Sequence, residues 1–302
     1  MGRTKNTSSP NRRQHYVPVL ILQGFTPSGA RDDFLWVHDR KQREPWRVKP
    51  DQAAHERDYY RVEIPNVDPN IVETALGETI EAQAAALIQK MNRDQELPRG
   101  EGFQILVEFV TFLALRTPSV RRLYERSVEL LYRQSAKACL ATPDLFHHFI
   151  AEQQKSGVEI PPEITYENLR DFALDDNRNV VETPRTKSVQ AILLAWKDLT
   201  PIFLERQWSL FFARPEDGRL FCSDMPVSIT PTSPRLKQQP LGFGLRQTEL
   251  TVPLSRSMAL VGSYESPSVT GEISLDFVRD LNRRTLAFTE RFIFSSEKSL
   301  LV

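Results

Sequence analysis

Three short stretches concentrate side chains capable of acid-base or electrostatic work: His15-Tyr16-Val17-Pro18, Leu115-Arg116-Thr117-Pro118 and Phe221-Cys222-Ser223-Asp224-Met225-Pro226. In the first, an imidazole precedes a proline that can open a helical turn, because the missing N–H of Pro18 would be unpaired there anyway. Such a placement can aim a proton carrier into a cleft. In the last, a strand-like run emerges into Ser-Asp, and Pro226 holds Met225 extended, which fixes the direction of Asp224. A carboxylate at a strand end suits a general base or a metal ligand. Combined, these residues describe a metal-assisted hydrolase of a phosphate-bearing substrate, nucleic acid included. His15 moves a proton, Arg116 neutralises developing charge, and Asp224 with Glu73 or Glu108 holds a divalent cation. The same residues have a plainer use, since Ser and Asp before Pro form side-chain-to-backbone turns and an imidazole bonds a nearby carbonyl.

Helices must carry the two glutamates. Asp68-Pro69 is a helix start, and the apolar stripe Leu76, Ile80, Leu87 and Met91 extends the helix to about Asn92. Glu73 falls at the head of that stripe, facing inward or at its boundary. Phe103 to Leu115 is apolar around most of its circumference and is expected to be a core helix. Gln104, Glu108 and Thr111 form a narrow polar seam along it, within about 60° at 100° per residue. A buried carboxylate in such a seam needs partners.

The next helix, Ser119 to Leu140, divides its faces. Arg122, Arg126, Arg133 and Lys137 lie on one side, with Val120, Leu123, Val128 and Leu131 on the other. Segment 116–137 holds six basic and two acidic residues. Glu129 stands four residues before Arg133 in the favourable order, so part of the stripe is expected to neutralise itself. The remainder is either a solvated face or an anion-binding surface. The latter would suit a noncatalytic module that binds an acidic protein or nucleic acid.

Composition narrows the field. Thirty-nine Lys+Arg balance 39 Asp+Glu, which argues against a surface built wholly for polyanions. Cys139 and Cys222 are the only cysteines, too few for a disulfide framework or a thiolate zinc site. Met1 to Gln14 is polar, and no apolar run reaches the length of a membrane span, so a cytoplasmic protein without membrane contact is expected. Phosphate-cradling loops, the Gly-x-Ser-x-Gly elbow and the dinucleotide fingerprint are absent. Ala54-His55-Glu56-Arg57-Asp58-Tyr59 puts Tyr59 where a helical zinc protease needs its second His, and the adjacent His147 and His148 make a poor chelate.

The three motifs, in this order, resemble domain of unknown function 4238, over roughly residues 15–295. Val19-Leu20-Ile21 departs from the aromatic-rich stretch common there after the proline. The resemblance implies a bacterial, cytoplasmic protein and carries no established activity.

The expected architecture is α+β, with residues 1–14 a disordered basic tail and 15–302 a single domain. A hairpin of Phe34–His38 and Trp46–Val48 comes first, then a helical layer over about 66–206. A β-rich final third, 207–302, closes with a helix from Ser274 and a strand at Arg291–Phe294. Isolated hairpins need further strands, so the N-terminal hairpin should meet the C-terminal strands.

Overall fold

The computed structural model describes residues 13–175, 179–236 and 238–302. Most of the expected basic tail lies outside them. Arg13 and Gln14 do not belong to a tail, because β1 (Arg13–His15) pairs antiparallel with β4 (His55–Arg57). Gln14 is fully buried and accepts the Tyr60 N–H.

The α+β class stands. The hairpin β2 (Leu35–Asp39) and β3 (Trp46–Val48) joins β11 (Phe292–Ser295) and β6 (Cys222–Ser223) in an antiparallel sheet of order β3-β2-β11-β6. The two ends of the chain thus share one sheet, Val37 opposite Phe294. The larger sheet is built from β5 (Gln207–Ala213), β7 (Ser228–Pro231), β8 (Thr248–Ser255), β9 (Met258–Ser263) and β10 (Thr270–Ile273). Its order is β10-β5-β9-β8-β7, and only β10 runs parallel to its neighbour, β5.

This sheet is covered on both faces. Leu210, Val252 and Leu260 enter the main core with the helical layer, while Ala259 and Val261 pack on Val278 and Leu281 of α9 (Leu275–Phe288). Successive side chains point to opposite faces, so a strand covered twice is apolar without alternation, as Met258-Ala259-Leu260-Val261 is. Ser274 caps α9 by accepting the Phe277 N–H.

The central helix is α4 (Glu101–Leu115), buried continuously from Leu106 through Leu115 apart from Glu108. Gln104 is exposed, Glu108 is half-buried and Thr111 returns its hydroxyl to the Val107 carbonyl, so the polar seam opens to solvent at one end. α4 packs against α8 (Arg185–Leu204), whose Trp196 donates its indole N–H to the Glu108 carbonyl at 2.8 Å. Before α4, one continuous helix runs through α2 (Ile71–Ala75), a π-helical segment Leu76–Glu81 and α3 (Ala82–Asp94).

α5 (Pro118–Cys139) buries no residue fully. Leu123 and Leu131, on its apolar face opposite the arginines, are 65% and 67% exposed. The core position is already filled by α4. The far end of α5 meets only a small cluster of Leu140, Phe146 and Ala173 with α6 (Pro143–Lys155) and α7 (Tyr166–Leu174). No single helix among the described residues is long and apolar enough to cross a membrane.

The short helix α1 (Val19–Leu22) leads into Gly24, which lies hard against β8. A Cβ built there would stand 2.8 Å from the Leu254 carbonyl oxygen and 3.0 Å from Ser255 Cα, both backbone atoms. Gly24→Ala is therefore expected to destabilise the protein by about 1–3 kcal/mol, read from its urea midpoint. An unchanged midpoint would show that the two segments separate freely.

Candidate functional site

Arg116 ends α4 and is 1% exposed. Its Nε donates to the Tyr60 hydroxyl at 2.8 Å, one terminal nitrogen to Glu81 Oε1 at 2.6 Å, and the other to the His15 carbonyl oxygen. Tyr60 and Phe112 place their rings beside the guanidinium, at 5.4 and 5.0 Å from their centroids. Burial pushes the Tyr60 phenol up to about 12, with Arg116 opposing the shift. Arg116 is thus sealed in the core and does not face an open hollow.

Glu73 lies near the same cation. Burial, opposed by Arg116 and reinforced by Glu81, pushes its carboxyl up to about 7, and its buried Oε2 has no hydrogen-bond partner among the described residues. The π segment explains how Glu81 reaches the site. In a continued α-helix Glu81 would stand about 80° from Glu73, and one residue absorbed by i→i+5 bonding turns it back to within about 20°. Two carboxylates therefore serve one guanidinium.

The His15 ring points elsewhere. Its Nε2 lies 3.3 Å from the Asp51 carbonyl oxygen and its ring stands edge-on to His55 at 5.5 Å. Burial and then the neighbouring His55 push its pKa down to about 4. The backbone of His15, and not its imidazole, meets Arg116.

Asp224 follows β6 and is buried against the turn between α9 and β11. Oδ1 accepts the N–H of Glu290 at 3.1 Å, and Oδ2 accepts those of Arg291 at 2.8 Å and Phe292 at 3.0 Å. Burial raises its pKa, and the three N–H groups oppose the rise. By gripping this turn, Asp224 fixes the two side chains that leave it. Glu290 pairs with Arg122, and Arg291 makes a two-pronged contact with buried Asp39 at 3.0 and 2.8 Å.

The three motifs meet on a polar cavity of about 330 Å³ whose walls include Tyr16, Pro118 and Asp224, one residue from each, with Arg122, Glu290 and Arg291. Burial, then the charge of Asp224, raises the Tyr16 phenol. A second cavity of about 340 Å³ shares Arg122 and Glu290 and has an apolar lining that includes Met225, Ile229, Leu241, Phe243 and Phe288. Arg126, exposed on α5, stands at its rim. The Arg122–Glu290 ion pair divides one cleft into a polar and an apolar half.

Several expected sites are not assembled. Glu73 faces Arg116, Glu108 lies on α4 beside α8, and Asp224 grips the α9–β11 turn, so these three do not form a metal site. Among the described residues no group of three or more His, Cys, Asp or Glu side chains is arranged to hold a metal. His15, Arg116 and Asp224 come from neighbouring segments, yet their functional groups point into different surroundings. The basic stripe is divided too. Arg122 and Arg126 line the cleft, Arg133 pairs with Glu129 at 3.0 Å and with the Asn179 carbonyl, and exposed Lys137 lies outside it. Asp39, Tyr60, Glu81 and Glu290 take part although they lie outside the three motifs, and Tyr16 lies within the first motif but was given no role there. A buried phenol's need for a partner could have flagged Tyr60, whereas nothing in the spacing announces the π segment that delivers Glu81.

Fold and cleft define an α+β protein in which motifs from both ends and the middle of the chain meet on one surface. The chain belongs to the family described as protein of unknown function DUF4238, whose family model matches residues 13–299. No curated protein and no solved structure matches it.

Glu73 and His15 set opposite pH dependences. The folded state holds the Glu73 proton more tightly than the unfolded chain, so its stabilising contribution is present below about pH 4.5 and lost as pH rises through about 7. His15 binds its proton less tightly when folded, so its contribution is lost as pH falls from about 6.5 to about 4. Glu73→Gln is expected to stabilise by about 1–2 kcal/mol at pH 8 and to change little at pH 5, in paired urea titrations. Equal effects at both pH values would exclude a strained carboxylate. Asp224→Asn sets an amide NH2 against N–H donors and should cost about 2–3 kcal/mol in the same assay. A variant of wild-type stability would refute the turn-gripping role.

Proposed function

We propose that the chain is a noncatalytic binding module whose cleft takes an acidic partner segment. The observation that carries this reading is the pairing of an apolar pocket with two arginines at its edge. Met225, Ile229, Leu241, Phe243 and Phe288 receive an apolar side chain, and Arg122 and Arg126 meet neighbouring carboxylates. The Arg122–Glu290 pair mimics the expected contact, and an incoming carboxylate competes with Glu290 for the same guanidinium. Sealing of Arg116 and dispersal of the expected metal ligands favour this reading over the hydrolase.

The second reading, a hydrolase acting on a phosphate-bearing substrate, draws support from one feature. The polar half of the cleft sets Asp224, with its raised pKa, among Tyr16, Arg122 and Arg291. Either activity is proposed for the reducing cytoplasm of a bacterial cell, in keeping with the free thiols Cys139 and Cys222.

A fluorescein-labelled peptide of alternating Glu and Leu, followed by anisotropy, tests the module. Binding should weaken about tenfold or more in Arg122→Glu/Arg126→Glu and fall with added salt. Undiminished binding by that variant would remove the cleft from consideration. Phosphatase or nuclease activity that disappears in a folded Asp224→Asn would favour the hydrolase instead.

A further inference from the structure

The sheet shared by the two ends of the chain turns its faces to different uses. Leu35, Val37, Trp46 and Val48 pack into the main core. Their sequence neighbours Phe34 and Trp36 belong to no apolar cluster among the described residues, and Phe34 is 39% exposed. Alternation along the strand puts these two rings on the outer face. A single exposed ring is ordinary, whereas two side by side form a patch that calls for a reason.

Cations stand where apolar partners would. Trp36 lies opposite Arg47 in the β2–β3 register, and residues directly opposite share a face. The Arg47 guanidinium lies 5.1 Å from the Phe34 ring centroid and 5.8 Å from that of Trp36. Lys49 Nζ lies 5.8 Å from Phe34, and Lys298 Nζ, reaching back from beyond β11, lies 5.8 Å from Trp36. Arg47 and Lys298 are exposed, and Lys49 is half-buried. Among the described residues none of these three cations makes an ion pair or a side-chain hydrogen bond. Two acids flank the patch. Asp33 is held by the N–H and hydroxyl of Ser28 at 2.9 and 2.7 Å, and Glu297 is exposed. Both also act on half-buried Arg256, so four cations stand against two carboxylates.

We propose that this outer face binds single-stranded nucleic acid, with unpaired bases stacked on Phe34 and Trp36 and phosphates held by Arg47, Lys49 and Lys298. Two residues along a strand separate the rings by about 7 Å, room for successive bases of an extended strand. Every base has a π-face, so such rings accept any sequence while the cations follow the backbone. An acidic peptide supplies the charge without the flat faces, and a duplex keeps its base faces inside its own stack. None of the five residues lines the cleft beside Arg122, so this surface is separate from it.

Anisotropy of a fluorescein-labelled oligothymidylate of about ten nucleotides, mixed with the full chain, tests the surface beside a duplex of equal length. The single strand should bind about tenfold or more tightly than the duplex. Its affinity should fall about tenfold or more between 50 and 200 mM salt, as release of counterions from three phosphates requires. Arg47→Glu and Trp36→Ala should each weaken it about tenfold. Trp36→Phe keeps a stacking ring, so it should retain binding yet lose the tryptophan quenching that the oligonucleotide causes in the wild type; this arm stands even where Trp36→Ala fails to fold. No binding to the wild-type chain overturns the proposal, as does a duplex bound as tightly as the single strand. Equal affinity in wild type and Arg47→Glu overturns it too. So does loss of binding in Arg122→Glu/Arg126→Glu with retention in Arg47→Glu, which assigns the strand to the cleft.

Discussion

The guanidinium of Arg116 is the point at which distant parts of the chain are tied. One planar group meets the backbone of the first motif at His15, the phenol of Tyr60 and the carboxylate of Glu81. A lysine could not reproduce three such directions from one rigid fork. The cation sits at the junction of α4 and α5, where Thr117 caps the second helix by accepting the Val120 N–H. Loss of one partner strands a buried charge, so the segments are held together or not at all. The residues next to those bonds, Tyr16 after His15 and Pro118 two after Arg116, are the ones that reach the cleft. Interior bonding thus positions an outer surface.

The C-terminal side of that surface uses a different device. Asp224 grips three consecutive N–H groups, and the turn it orders sends Glu290 toward Arg122 and Arg291 toward Asp39. A carboxylate used in this way is buried for geometry, with its proton affinity a by-product of the burial. The same holds for Glu73, whose raised pKa follows from burial beside Arg116, which it shares with Glu81. A perturbed acid therefore marks a catalytic site only when its surroundings leave it something to act upon.

Much of the architecture was legible in the sequence because it follows local rules. Pro-started and Ser-capped helices, the hairpin around Trp36 and Trp46, and the apolar strands from Trp208 onward all announce themselves by type and period. The motifs were legible as places and misleading as chemistry. His15 contributes its carbonyl, Arg116 is sealed, and the neighbours Tyr16 and Pro118 form the walls. The π segment changes which glutamate faces inward without any change in composition. Arg122 and Glu290 are 168 positions apart, and no periodicity links them. The exposure of Leu123 and Leu131 was hidden for another reason, since an amphipathic pattern shows that a helix has an apolar face and not that another element covers it.

A net charge of zero conceals how unevenly the protein treats its buried cations. Arg116 lies among two glutamates and a phenol, and the protein has supplied its counter-charge internally. Arg206, equally inaccessible, has only neutral oxygens and an aromatic face, with Glu249 and Glu265 engaged by other donors. If burial alone explained both, the second would be expected to carry an acid like the first, because the desolvation penalty is the same in kind. The difference is that Arg206 spreads its charge over the carbonyl oxygens of Thr248, Gly262 and Phe243, so several backbone dipoles that tie the start of β5 to β8 and β9 stand where Arg116 has a carboxylate.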